Sequence, residues 1–339
     1  MKNIFKGKDI LVTGGCGSVG KEIVRQLLKY EPERIRVFDH SEADHFRLNQ
    51  EIKSDKIRNL IGDIRDKSRV MRAMERVDIV FHAAALKHVP FCEYNPTEAV
   101  STNVIGTQHL VEAAIERGVK IFVGISTDKA VNPINTLGAT KLLSEKIITN
   151  APSGFSECVF CCVRFGNVLN SVGSVIPIFK NQISKGDPVT ITSNEMTRFF
   201  MSMEDAVAHV LKTAETAGNG ETHILKMKAL RLIDLAEVMI DELAPRNNHD
   251  PKKINIDIIG VRPGEKIDES LMTREEADYA IETEDKIILY NSFLADYGKG
   301  KINSDKSKKK TNHEEYNSRN APLLTKEEIK KLLYQKKII

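Results

Sequence analysis

From Asp9 to Leu28 the chain reads DILVTGGCGSVGKEIVRQLL. An apolar, strand-like run breaks into glycines at 14, 17 and 20 and passes directly into an amphipathic helical pattern. Few architectures accommodate this. A strand that enters a helix through so tight a glycine turn is the opening unit of a parallel sheet, and the turn lets backbone approach a phosphate that the exposed N–H groups and the helix dipole attract. The same alternation recurs through the first half of the chain. Strands are expected near Asp9–Thr13, Arg34–Asp39, Arg58–Gly62, Asp78–Ala84, Lys120–Ser126 and Cys158–Phe165, with helices such as Lys21–Tyr30 and Asn103–Arg117 between them. That rhythm predicts an α/β fold, a doubly wound parallel sheet covered by helices on both faces.

After Asn167 the pattern loosens into short strands and helices, among them Met203–Glu215 and Arg231–Leu243. The organisation read from this is a dinucleotide-binding domain over 1–167 and a smaller mixed α/β, mainly substrate-binding region over 168–297. A basic loop or arm over 298–320 and a terminal helix over 321–339 complete it. The stretch from Gly298 to Ser318 has almost no apolar content and little capacity to fold alone. Its Lys308-Lys309-Lys310 run suits a lid, an arm against an anionic surface, or a solvated loop. In the terminal helix, Thr325 is the expected N-cap.

Fifty Lys+Arg against 47 Asp+Glu leave a net charge of +3, which demands no nucleic-acid partner. No apolar run reaches the roughly 20 residues needed to cross a bilayer, and the amino-terminal segment is too polar for a secretory signal, so a cytoplasmic protein is expected. Among Cys16, Cys92, Cys158, Cys161 and Cys162 a single C-x-x-C, Cys158 to Cys161, has no second such pair to match it. They read as reduced thiols, and no metal site is expected.

Gly14, Gly17, Ser18, Val19 and Gly20 are the expected cofactor-binding residues of the loop. Asp39 ends the second strand, where a carboxylate accepts from the hydroxyls of an adenosine ribose and repels a 2′-phosphate, favouring NAD. The lesser alternative is a cap on the following helix, and His40 and Arg47 leave room for NADP. Asp63, in GDIRD, suits the adenine amino group or an ordinary turn.

Several blocks together resemble a known family: TGGCGSVG, HAAALKHVP (82–90), STDKAVNPINTLGATK (126–141), RFGNVLNSVGSVIP (164–177), MTRFFM (196–201) and GVRPGEK (260–266). They are similar to the extended short-chain dehydrogenases/reductases, and within them to the UDP-N-acetylglucosamine 4,6-dehydratases of polysaccharide biosynthesis. The resemblance runs almost end to end. It implies a Rossmann-type fold, an NAD (or NADP) cofactor, a UDP-sugar substrate and a homo-oligomer, dimer or hexamer. It places Ile64, Ala83 and Ala84 with the cofactor-binding residues.

The wider superfamily pairs a tyrosine base with a lysine four residues on. Here the pair is Leu137 and Lys141, so a ribose-binding lysine is kept and the phenol is missing. The resemblance then hands acid-base work to Asp128 and Lys129, with Thr127 positioning the sugar's 4-hydroxyl. The implied reaction is that of a hydro-lyase. Carbon 4 is oxidised, water is lost across carbons 5 and 6, and the hydride returns to carbon 6. Lys129, its pKa lowered by burial and the oxidised nicotinamide, is expected to remove the carbon 5 proton. Asp128 is expected to accept from carbon 4 and protonate the leaving hydroxyl, with exchange of roles open. Lys87, Asn167, Arg198, Arg262 and Glu265 are the expected substrate-binding residues, the arginines gripping diphosphate. His88 either contacts phosphate or packs beneath its loop, and Asn167 can instead cap a helix. Two other functions stay open: a nucleotide-sugar 4-epimerase, and a dinucleotide-binding protein without catalysis.

Overall fold

In the computed structural model, residues 3–151, 157–169, 174–291 and 309–339 are described. Six parallel strands form one side of a ten-stranded sheet: β1 (Asp9–Thr13), β2 (Arg34–Asp39), β3 (Ile57–Ile61), β4 (Ile79–His82), β5 (Ile121–Thr127) and β6 (Val159–Phe165). Their order is β3-β2-β1-β4-β5-β6, the doubly wound arrangement the alternation predicted. β1 and β6 are almost wholly buried, so their sequences are continuous apolar runs rather than alternating ones.

Helices cover both faces. On one, helix α1 (Ser18–Leu27) buries Ile23, Val24 and Leu27 in a cluster with Ala206, Val207 and Val210 of the helix Met203–Thr216. On the other, Val70, Leu110, Ala114 and Ile148 pack over Phe122 and Phe160. The glycine loop lies where the β1 ends of both layers meet, at the carboxyl edge of the strands.

The second half of the chain completes the same sheet. Thr222–Leu225 extends it parallel to β6, followed by antiparallel Lys286–Leu289 and Ala280–Glu282 and, at the edge, Lys309–Lys310. Residues 298–308, most of the basic stretch, lie outside the described residues. Its remainder is anchored: Tyr316–Asn317 pairs with Ser270–Met272, Tyr316 is buried, and the Ser318 side chain is fully enclosed. The ring and that hydroxyl, with side-chain bonds from Thr311 to Glu282 and from Ser270 to Glu315, hold this segment, which average composition does not reveal.

The terminal helix spans Lys326–Gln335, with Thr325 at its N-cap and Glu328 closing a reciprocal capping box. Ile329 and Leu333 dock it against the helix Leu232–Leu243. The helix expected from Asn103 begins as an α-helix only at Gly106, because Val100–Ile105 winds as a π-helix. Such turns are rare and often sit beside functional sites. This one aims Asn103 at the loop after β4.

A buried arginine locks the two halves together. Arg164 of β6 donates to Glu145 at 2.6 and 3.0 Å, to Glu276 at 2.9 and 3.0 Å, and to the Leu271 carbonyl at 2.8 Å. Glu145 lies on the helix Thr136–Thr149 that also carries Lys141, whereas Glu276 and Leu271 come from the carboxyl-terminal half.

Candidate functional site

Two glycines of the loop leave no room for a side chain. Gly14 has φ +63°, and a Cβ there would stand 2.6 Å from the Ala84 nitrogen; one on Gly20 would stand 2.2 Å from the Gly14 carbonyl oxygen. Ala83 and Ala84 have left β4 and run against the loop, Ala83 N–H donating to the Thr13 carbonyl at 3.1 Å. Ser18 and Val19 open α1 beneath it, presenting the unpaired N–H groups of a helix start. Asp39 is largely buried at the end of β2, accepting from Cys16 N–H at 3.2 Å and Ser41 N–H at 3.3 Å. It does not cap the next helix; Ser41 does, accepting from Asp44 N–H at 3.2 Å. His40 is exposed beside Asp39. Asp63 forms an ion pair with Arg65 at 2.6 Å, which holds its carboxyl below the usual range, and Ile64 is buried against Gly106.

A hydrogen-bonded chain of neutral groups fixes this edge. Thr107 Oγ1 donates to the Asn103 carbonyl at 2.6 Å, so it accepts from His82 Nε2 at 2.9 Å, and Thr13 Oγ1 in turn donates to His82 Nδ1 at 2.8 Å. Burial and the Lys141 charge push the His82 imidazole down to about 3, so it stays neutral and the directions hold. Asn103 then reads both backbone groups of Leu86, accepting at 2.9 Å and donating at 3.1 Å, and donates to Thr140 Oγ1 at 3.0 Å. The network thereby positions the loop bearing Lys87, an exposed residue whose amine burial of its stem lowers. Lys141 is buried, donates to the Ile125 carbonyl at 2.6 Å, and is pushed down by desolvation.

At the end of β5 the chain turns through Thr127, Asp128 and Lys129. Thr127 Oγ1 donates to Asp128 Oδ1 at 2.7 Å, and Lys129 Nζ donates to the same oxygen at 3.0 Å. Asp128 is wholly buried, and its Oδ2 has no hydrogen-bond partner. Leu137 packs with Cys92, Ala99 and Val89 as core.

Lys129 opens onto a cleft also lined by Asn167, Arg198, Arg262 and Glu265, so five of the residues singled out in the sequence converge. Asn167 lies in the short strand Asn167–Val168 rather than at a helix cap. Arg262 and Glu265 close a turn, Glu265 N–H donating to the Arg262 carbonyl at 3.1 Å. Arg198 is more committed than its sequence suggested, donating to the carbonyls of Thr197 and Ile267 at 2.8 Å and of Lys266 at 2.7 Å. In this arrangement it holds the GVRPGEK segment as well as lining the cleft.

The cleft also contains residues the sequence reading passed over. Asn135, the N-cap of Thr136–Thr149, donates to the Gly264 carbonyl at 2.7 Å, and Lys266 donates to the Val131 carbonyl at 2.6 Å. Glu269 reaches within 3.8 Å of Lys129 Nζ. An acid three residues beyond GVRPGEK was the available signal. Its presence corrects one expectation. Burial presses the Lys129 amine down, but the carboxylates of Asp128 and Glu269 outweigh it, and the amine ends above its ordinary value. These two carboxylates favour the ammonium form of Lys129.

A model of the family described as polysaccharide biosynthesis protein matches residues 10–291. The chain belongs to that family. It is 53% identical over 98% of its length to an uncharacterized membrane protein of Methanocaldococcus jannaschii, covering 97% of that relative. No helix among the described residues is long and apolar enough to cross a membrane. It is 42% identical, over 83% of its length and 82% of the relative's, to a UDP-N-acetylglucosamine 4,6-dehydratase (inverting) of Campylobacter jejuni. To a UDP-glucose 4-epimerase of Rickettsia rickettsii it is 39% identical over 97%, covering 96% of that chain. Among solved structures, Pen from Bacillus thuringiensis superposes with a TM-score of 0.91 at 43% identity, covering 99% of both chains.

Proposed function

We propose that this family member is an NAD-dependent UDP-N-acetylglucosamine 4,6-dehydratase. The observation that carries the reading is the Asp128–Lys129 pair at the carboxyl edge of the sheet, an ionisable pair where the superfamily's phenol is replaced by Leu137. The glycine cradle, closed to any Cβ, fits a dinucleotide diphosphate, and Asp39 fits a ribose without a 2′-phosphate. NAD bound there supplies a hydride acceptor and donor. Gly20→Ala should therefore eliminate NADH binding in a fluorescence titration; wild-type affinity in that variant would contradict the assignment.

The charged state of Lys129 revises the division of labour. Asp128 takes the 4-hydroxyl proton as carbon 4 is oxidised. Lys129, starting as an ammonium, protonates the departing carbon 6 hydroxyl and, as the amine, takes the carbon 5 proton that the new ketone acidifies. After the hydride reaches carbon 6, Lys129 returns a proton to carbon 5. Asp128, bonded to Nζ at 3.0 Å, then restores the lysine's charge with the proton it held. Every proton is accounted for by two side chains. Thr127, which donates to Asp128, orients that carboxylate, and Lys141, whose amine donates to the Ile125 carbonyl, is assigned to the nicotinamide ribose on the family resemblance.

Similarity to the Rickettsia 4-epimerase supports a second reading, in which the hydride returns to carbon 4. Proton NMR of UDP-N-acetylglucosamine incubated with the protein and NAD separates the two. A new 6-deoxy methyl signal is expected; a carbon 4 epimer with no methyl signal establishes the epimerase.

A further inference from the structure

Lys129 stands among four charged groups drawn from distant parts of the chain. Asp128 precedes it in the same turn, Arg198 comes from the strand Thr197–Met201, Lys266 ends GVRPGEK, and Glu269 follows three residues later. Glu269 is itself rigidly held. Its backbone N–H donates to Ser318 Oγ at 2.9 Å, and its carbonyl accepts from Ser318 N–H at 2.8 Å. Its side chain is buried, with Oε1 at 3.8 Å from Lys129 Nζ and 3.7 Å from Arg198 Nε, while Oε2 has no hydrogen-bond partner. A buried carboxylate with one oxygen unpaired is costly unless the field of nearby charge holds it in place.

We propose that Glu269 is a positioning residue for Lys129, forming with Asp128 a two-carboxylate cradle that fixes where the Lys129 amine stands at the wall of the cleft. The proposal rests on the reading of Lys129 as the proton-handling group. One carboxylate comes from each half of the molecule, 3.0 Å and 3.8 Å from the amine. A lysine tethered by Asp128 alone can swing on its flexible stem; the second carboxylate restricts that swing. Arg198, pinned by three carbonyls, stands 3.7 Å from the same Glu269 oxygen and gives that carboxylate a second fixed cation. Burial lifts the Glu269 carboxyl above its ordinary value, so this second charge is the more easily lost of the site's features as pH falls.

The test is a side-chain titration of the full-length protein labelled with 13C at lysine Cε. The Lys129 resonance is assigned by its disappearance in Lys129→Arg. In Glu269→Gln the midpoint should fall by about one pH unit, the usual effect of losing an opposite charge at this range. In Glu269→Asp, which keeps the charge but withdraws it by one methylene, it should fall less. Turnover in Glu269→Gln should drop about tenfold or more, the scale of a displaced proton-transfer group, with KM little changed. A Lys129 midpoint identical to wild type in either folded variant overturns the proposal, and if Glu269→Gln does not fold, Glu269→Asp decides. The titration needs no turnover, so a shifted midpoint in a protein that makes no 6-deoxy sugar sinks the dehydratase reading and leaves the cradle standing. An active wild type with unshifted variants does the reverse.

Discussion

Replacing Lys129 by alanine, or Asp128 by asparagine, is expected to lower turnover of UDP-N-acetylglucosamine by about 10²- to 10⁴-fold, the range that a positioned general acid or base contributes. Dinucleotide binding should survive in both, because the glycine cradle and Asp39 belong to the β1–β2 edge and share no hydrogen bond with the pair. The two variants differ in where they stop. Asp128→Asn cannot take the 4-hydroxyl proton, so bound NADH should fail to appear in a single-turnover absorbance trace. Lys129→Ala keeps that acceptor and should accumulate NADH, because the first step proceeds and elimination does not. Near-normal activity in either variant, or the reverse pattern of NADH, contradicts the assigned roles.

Arg164→Ala should destabilise the fold by about 3–5 kcal/mol, the usual consequence of leaving buried carboxylates without their cation. Arg164 is only 2% exposed and bridges Glu145 and Glu276, so its loss strips charge compensation from both halves of the molecule at once. The same lock carries a pH dependence. Burial alone would raise Glu276, but Arg164 outweighs it and holds the carboxyl below its ordinary value. A group depressed in the folded state stabilises above its unfolded pKa, and that contribution is lost as pH falls through its folded value. Wild type should therefore lose stability on acidification below the ordinary glutamate range, and Arg164→Ala should lose less of it. Urea unfolding of both proteins across that range measures this; parallel pH profiles would show that the lock is not the acid-sensitive element.

Most strands of the first half were legible because they are short apolar runs closed by glycine or aspartate, and β1 and β2 occupy the expected residues. The glycine loop was legible for a steric reason: Gly14 and Gly20 stand where backbone touches backbone, and no other residue fits. Tertiary partnership was not legible. Asp128 beside Lys129 could be read from adjacency, but Glu269 lies far along the chain and reaches the amine only through the fold, so its pull on Lys129 was not legible. Arg198 looked like a ligand-gripping arginine, whereas three backbone carbonyls occupy much of its donor fork. The basic stretch before residue 320 looked unable to order itself, yet its last residues pair with Ser270–Met272 and bury Tyr316 and Ser318.

Substrate carrying deuterium at carbon 4 of the sugar tests the central claim most directly. If the pair drives elimination and the hydride returns to carbon 6, the product's methyl group carries that deuterium. Deuterium recovered at carbon 4 of an epimerised sugar, with no label in any methyl group, would contradict the account.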